Sequence, residues 1–204
     1  MTQVELTRRE RKKEETKDRI FKAAFALFKQ KGVEATTVDE ICVKADVAKG
    51  TFFNYFPRKE AVFSYLSEDW LAQAEEQAAE ILARPGRVGP EITAMFSEFG
   101  AFYEQEPGLG KYVVAEWMRN QYTGTDELCL RWEDLTMRVM RKLQDNGELR
   151  TDDAIERLDA VVHCVYQGTL LEYVSSPTPP FPLRDELRRR LTLTIQGLAR
   201  SEGP

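Results

Sequence analysis

The 204-residue chain is 42% hydrophobic and 31% charged, a composition typical of a globular protein with one or two buried cores rather than a fibrous or disordered chain. Its most apolar stretch, AVVHCVYQGTLLEYV, is interrupted by His163 and Gln167 and is too short to span a bilayer. The charged N-terminus lacks the apolar region of a secretion signal, so we expect a cytoplasmic protein with no membrane partner. The three cysteines are odd in number and far apart, which argues against a disulfide framework and a paired-cysteine metal site.

Charge is unevenly distributed along the chain. The net charge is −5, yet residues 1–60 carry 14 Lys and Arg against 10 Asp and Glu, a net +4. The remaining residues carry 15 against 24, a net −9. A basic head on an acidic body favours a nucleic-acid partner for the head alone.

Helical periodicity runs through nearly the whole sequence and predicts an all-α chain. A first helix is expected from about Glu14 to Gln30, with Gly32 as its stop. Thr37 and Glu40 form a Thr-x-x-Glu capping box, which predicts a short second helix beginning there.

After a tight turn, a short third helix is expected from about Lys49 to Tyr55, closed by Pro57. Two short helices joined by a tight turn after a longer packing helix indicate a helix-turn-helix. We therefore predict a three-helix DNA-binding head at 1–60, with a basic N-terminal arm, and a helical body at 61–204. A long helix over 58–84 is expected to connect them, and Pro85-Gly86 ends it.

The stretch AKGTFFNYFPRKEAVF contains the third helix. Phe52 and Phe56 lie four residues apart and are interpreted as core, because aromatic side chains at helical spacing are usually buried. Lys49, Gly50 and Thr51 occupy the first turn, where small, polar and cationic residues can approach phosphates and bases.

The segment DEICVKADVAKGTFFNYFPRKEAVF resembles the DNA-binding signature of the TetR (tetracycline-repressor) family of bacterial regulators, and the resemblance extends from Thr16 to about Leu66. It implies a ligand-binding and dimerisation domain after the head. It also implies that a set of head residues lies against phosphates or bases. These residues are Thr37, Lys49, Gly50, Thr51, Asn54, Tyr55 and Lys59.

The sequence departs from the family pattern at three positions. Asp46 replaces the usual turn glycine and is expected to adopt a left-handed conformation at modest cost. Ala48 replaces the serine that commonly caps the recognition helix, and Phe53 lacks the hydroxyl of the usual tyrosine. The backbone amides and Lys49 should therefore carry more of the phosphate binding.

Large aromatic side chains are frequent in the body and are typical of the lining of an apolar ligand pocket. Any one of them, taken alone, is more typical of an ordinary core residue. The sole histidine, His163, could be a core residue, which we favour slightly, or a polar ligand contact. Our candidate ligand residues are Phe99, Tyr103, Trp117, Tyr122, Trp132, His163 and Tyr166.

The helix around AVVHCVYQGTLLEYV is apolar nearly all round, so both of its faces should be covered. A second copy of the chain, packed through this helix and the last one, would provide one cover and form a two-fold four-helix interface. Our candidate dimer residues are Gly168, Leu171, Leu187, Leu191 and Ile195.

These inferences predict a homodimeric regulator, most simply a repressor, released from a near-palindromic double-stranded operator by a small, largely apolar effector. No cofactor or metal is expected. An enzyme is the main alternative, but a single histidine and the lack of an activated serine or cysteine motif argue against it. The other alternative is a helical adaptor that binds an acidic protein or membrane surface, which sequence-selective DNA binding would exclude.

Overall fold

The computed structural model describes residues 7–123 and 127–199, in which there are ten α-helices, one 3₁₀ turn and no β-strand. The helices are α1 (Arg8–Lys31), α2 (Val38–Ala45), α3 (Lys49–Tyr55), α4 (Val62–Leu82), α5 (Gly89–Glu98), α6 (Gly100–Gln105), α7 (Pro107–Thr123), α8 (Glu127–Asp145), α9 (Ile155–Ser175) and α10 (Leu183–Gly197). The all-α prediction is confirmed.

The chain divides into two compact units between Leu66 and Ser67. The predicted 58–84 helix is instead a 3₁₀ turn, Lys59–Ala61, followed by α4.

Helix α1 begins earlier than the sequence pattern suggested. The Thr7 hydroxyl accepts the Glu10 backbone N–H at 3.3 Å, and the Glu10 carboxylate accepts the Thr7 N–H at 2.8 Å. This reciprocal pair satisfies two helix-end donors, so the helix starts at Arg8 rather than near Glu14. It ends at Gly32, whose φ of +84° favours glycine and whose N–H donates to the Phe28 carbonyl.

The two-helix motif forms as predicted. Thr37 and Glu40 make the expected capping box at the start of α2, and Asp46 ends the helix in the left-handed conformation at φ 52° and ψ 56°. Phe52 and Phe56 are buried, which confirms their assignment to the core. The buried side chains of this unit also include Ile20, Phe28, Val33, Ile41 and Phe63, and the rings of Phe28 and Phe63 stack at 5.4 Å.

The second unit is a helical bundle in which α9 packs against α7, α8 and α10, while α10 also packs against α5 and α6. Its buried side chains include Ile92, Leu135, Leu143, Leu158, Leu170, Leu183, Leu187 and Leu191. In the described part of the chain, no helix is long and apolar enough to cross a membrane.

A buried carboxylate fixes the start of α5. Glu148 accepts the backbone N–H of Val88 at 2.7 Å and that of Gly89 at 3.0 Å, which satisfies two donors at the helix N-terminus. A Cβ at position 89 would lie 2.8 Å from the Glu148 carboxylate, so glycine permits this close approach. The contact positions a helix that lines an internal chamber of the bundle.

Candidate functional site

Helix α3 presents one face to the core and another to solvent. Phe52 is fully buried, whereas Gly50, Phe53 and Asn54 are exposed and Thr51 and Tyr55 are half-buried. The exposed Phe53 ring meets Phe52 edge-on, with the centroids 5.4 Å apart. The face therefore combines an aromatic ring, an amide and small residues that allow close approach.

Lys49 lies at the start of this face and has an acidic neighbour. Its ammonium is 2.8 Å from the Asp39 carboxylate on α2, and both side chains are well exposed. The hydrogen bond with Asp39 raises the pKa of Lys49, so the side chain is firmly cationic. An anion that binds Lys49 must compete with Asp39.

Thr37 is exposed, but its hydroxyl is already used locally. It accepts the Glu40 N–H at 3.3 Å and donates to the Glu40 carboxylate at 2.8 Å. The hydrogen bond from Lys31, together with those from Thr37, lowers the pKa of Glu40 to about 2.

Lys59 is not placed as the family resemblance implied. Its ammonium donates to the carbonyls of Val33 at 2.7 Å, Thr36 at 2.8 Å and Glu34 at 3.3 Å. An ammonium has three hydrogens, and these three acceptors use all of them. We therefore correct the assignment: Lys59 fastens the α1–α2 loop and has no N–H left for a phosphate.

Ala48 occupies the N-cap of α3 with extended dihedral angles, φ −70° and ψ 151°, and makes no side-chain cap. A serine side chain in this backbone conformation would accept a helix-end N–H. The two other helices of the head, α1 and α2, both have complete capping boxes. Among α1, α2 and α3, the recognition helix α3 is thus the one that starts without a side-chain cap.

The second unit contains two small apolar chambers. The first offers about 30 Å³ to a water-sized molecule and the second about 60 Å³, so each holds only a few waters. Trp132 and Tyr166 line both, and their rings lie 5.9 Å apart. The first chamber is also lined by Phe96, Thr136, Met140, Asp159, His163 and Ile195, and the second by Trp70, Phe99, Tyr103, Trp117 and Leu170.

Asp159 and His163 form the polar side of the first chamber. Burial raises the pKa of Asp159 and lowers that of His163, which favours a neutral imidazole. The His163 ring lies 5.6 Å from that of Trp117 and contacts the Gln167 amide. Asp159 was absent from our candidates, although its position four residues before His163 on one helix could have identified it.

Six of the seven candidate ligand residues line the chambers. Phe99, Tyr103 and Trp117 border the second, His163 borders the first, and Trp132 and Tyr166 border both. Burial raises the pKa of the Tyr103 and Tyr166 hydroxyls, so both phenols stay neutral. The side chain of Tyr122 lies outside the described part of the chain.

An exposed apolar face runs along α9 and α10. Val161, Leu171 and Leu193 are large exposed side chains, and Gly168 has nothing within 4 Å of where a Cβ would stand. Gly168 and Leu193 border the same groove. Cys164, also at this groove, is exposed rather than buried as an apolar thiol usually is.

Two candidate dimer residues prove to be core. Leu187 and Leu191 are almost fully buried within the chain, because the apolar stripe of α10 faces α5, α6 and α9. A side chain without accessible surface cannot contact a second copy, so both assignments are wrong. Ile195 on the same stripe is half-buried and lines the first chamber.

Comparison with known proteins shows where the chain belongs. Residues 20–66 match the family model described as bacterial regulatory proteins, tetR family. A curated relative, the uncharacterized HTH-type transcriptional regulator YerO of Bacillus subtilis, is 25% identical over 92% of this chain and 67% of its own length.

Solved structures are similar over nearly the full chain. The FadR repressor of Thermus thermophilus, a TetR-family protein crystallised with lauroyl-CoA, is 30% identical, with 92% of this chain and 97% of FadR covered and a TM-score of 0.68. FadR of Bacillus subtilis, crystallised with stearoyl-CoA, is 18% identical, with 88% and 98% covered and a TM-score of 0.66, and supports the fold alone.

The chain therefore belongs to the TetR family of bacterial transcriptional regulators. It is a DNA-binding regulator with a helix-turn-helix head, not an enzyme. Among the described residues, no cluster of three or more His, Cys, Asp and Glu side chains is arranged to hold a metal ion.

Proposed function

We propose that the chain is a cytoplasmic homodimeric repressor that binds a near-palindromic operator and is released by a small, largely apolar effector. The observation that carries the proposal is the combination, in one TetR-family chain, of an exposed recognition helix and an apolar internal cavity with few polar groups.

In the proposed complex, Lys49 and Thr51 bind phosphate, and Tyr55 supports the same contact. Asn54 and Phe53 are the outermost side chains of α3 that can reach base edges. An asparagine amide pairs with adenine in the major groove, and an apolar ring contacts the thymine methyl group. Gly50 also belongs to the proposed interface, because a residue without a side chain lets α3 approach the DNA closely.

The Lys49–Asp39 pair provides a two-sided test of this interface. Lys49→Met should weaken operator binding. It should also reduce the slope of log affinity against log salt concentration by about 1, since one fewer counterion is released on binding. Asp39→Asn should strengthen binding, because it removes a competing anion. Lys111→Met, an equal charge change in the second unit, serves as the control. Unchanged affinity in folded Lys49→Met protein would remove Lys49 from the interface.

The dimer in this proposal forms through the exposed face of α9 and α10. Gly168 permits close helix approach, and Leu171 and Leu193 supply apolar area that a second copy would cover. Two recognition helices held about one DNA turn apart would then read the two halves of the operator.

Sedimentation of a charge variant tests the dimer. Leu193→Glu should yield a folded monomer, whereas Leu130→Glu should remain dimeric, because Leu130 has similar exposure (60% against 54%) but lies on α8. A dimeric Leu193→Glu protein would contradict this interface.

The proposed effector occupies the chambers around Trp132 and Tyr166. The available volumes are small, so binding must displace lining side chains, and this repacking gives the effector a different affinity for two conformers of the protein. Such a difference in affinity is what any ligand needs to shift an equilibrium. Helix α4, whose first residues belong to the head and whose remainder belongs to the second unit, is the proposed route to the operator.

Lauroyl-CoA, found in the similar Thermus thermophilus protein, is the first compound to test, because its apolar lauroyl chain is the part that the chambers would take. We expect it to release the protein from operator DNA, measured by fluorescence anisotropy. Leu170→Phe, which adds volume at a buried position that lines the second chamber, should reduce the response without affecting DNA affinity. If the compound released the variant from operator DNA as readily as it releases the native protein, an effector site inside the bundle would be contradicted.

A further inference from the structure

The indole N–H of Trp132 is a buried donor with no acceptor among the described residues. Leaving such a group unsatisfied is costly, and native proteins rarely do so without a reason. The ring itself is packed among three others: the centroids of Phe96, Phe99 and Tyr166 lie 5.5, 6.2 and 5.9 Å from the Trp132 ring centroid. The missing partner is therefore not explained by a loosely packed side chain.

Trp132 also has a special position, since it lines both chambers. Two threonine hydroxyls line the first chamber with Trp132, and neither accepts its N–H. Thr93 donates to the Pro90 carbonyl at 3.0 Å, and Thr136 donates to the Glu133 carbonyl at 3.1 Å. The indole N–H is thus a buried, unpaired donor on a ring that borders both apolar chambers, and a ligand that displaces lining side chains could reach it.

We propose that Trp132 is the residue that selects the effector, by donating its indole N–H to an oxygen acceptor flanked by apolar groups on both sides. A ketone, ester or thioester carbonyl within a chain-like molecule has this chemistry. The inference rests on the proposed function, because it takes the two chambers as the effector site. It goes further in assigning the polar contact and the position of the acceptor in the ligand.

Paired probes test the assignment on DNA-free protein. One probe is 6-undecanone, which has a central carbonyl between two five-carbon arms, and the other is undecane, which has the same chain without an acceptor. The affinity of the ketone relative to that of undecane should be about 3- to 10-fold higher in the native protein than in a variant without the indole N–H, the range expected for one net hydrogen bond. The indole N–H resonance of Trp132 should move downfield with the ketone and not with undecane.

Two changes at the tryptophan isolate the N–H group. Benzothienylalanine at position 132 keeps the ring shape but replaces N–H by sulfur, and it should lower the ketone-to-undecane affinity ratio by this factor, because the buried carbonyl then has no donor. Trp132→Phe should do the same, and its spectrum assigns the resonance. Tyr173→Phe, which alters a buried ring of the same bundle that lines neither chamber, should keep the native ratio of the two affinities.

The outcomes separate this inference from the proposed function. A ketone-to-undecane affinity ratio that is the same in native protein and in the benzothienylalanine variant overturns the role of Trp132 and leaves the chambers as the effector site. If neither probe binds folded protein, both the site and the contact are overturned. Operator binding is measured separately and does not depend on either result.

Discussion

Replacing Lys59 by methionine separates a structural role from a DNA contact. The substitution keeps most of the side-chain length and removes the ammonium that bonds to the carbonyls of Val33, Glu34 and Thr36. Hydrogen bonds to charged groups contribute about 1.5–3 kcal/mol each, and two of these are short and involve buried residues. Because Lys59 is only half-buried and water can replace part of the loss, we expect the free energy of unfolding to fall by about 2–4 kcal/mol.

Urea unfolding followed by circular dichroism measures this loss, with Lys44→Met as the control. Lys44 is exposed at the end of α2, and its substitution should change stability by no more than about 0.5 kcal/mol. If Lys59→Met were as stable as this control and instead reduced the salt dependence of operator binding by about one counterion, Lys59 would be a phosphate contact and our correction would be wrong.

Three further predictions concern helix ends. Ala48→Ser should stabilise the protein by about 1 kcal/mol and tighten DNA binding, measured by urea unfolding and anisotropy; a loss of stability would show that the cap geometry is wrong. Glu148→Ala should cost about 2–4 kcal/mol, because two buried N–H groups lose a charged acceptor, whereas a cost below 1 kcal/mol would contradict this cap. The folded-state pKa of Glu40 is lowered to about 2, so its contribution to stability is present above the unfolded value near 4.5 and is lost as the pH falls toward 2. Unfolding curves of Glu40→Gln and native protein should therefore converge over this pH range, and a constant difference would refute the assignment.

The head could be predicted well because its signals are local. A capping box acts over three residues, Gly32 and Asp46 end helices through their own dihedral angles, and Pro57 limits its immediate neighbour. The start of α1 carries the same kind of local signal, since Thr7 and Glu10 form a second capping box.

Contacts across long sequence separations could not be predicted in the same way. Lys59 bonds to carbonyls more than 20 residues earlier, and no pattern around it distinguishes a carbonyl from a phosphate partner. The stripe of Leu187 and Leu191 correctly indicated an apolar face of α10, but periodicity does not say whether the same chain or a second copy covers it. The open N–H of Trp132 depends on packing from several helices and is visible only in the structure.

The most direct test of the whole account is selection of purified protein against a library of random DNA duplexes, followed by salt titration of the enriched site. We expect a near-palindrome bound by a dimer. The logarithm of the affinity should fall linearly with the logarithm of the salt concentration, with a slope of about −0.9 for each phosphate contacted. Enrichment of no sequence by folded, effector-free protein would contradict the central claim that the exposed face of α3 reads an operator.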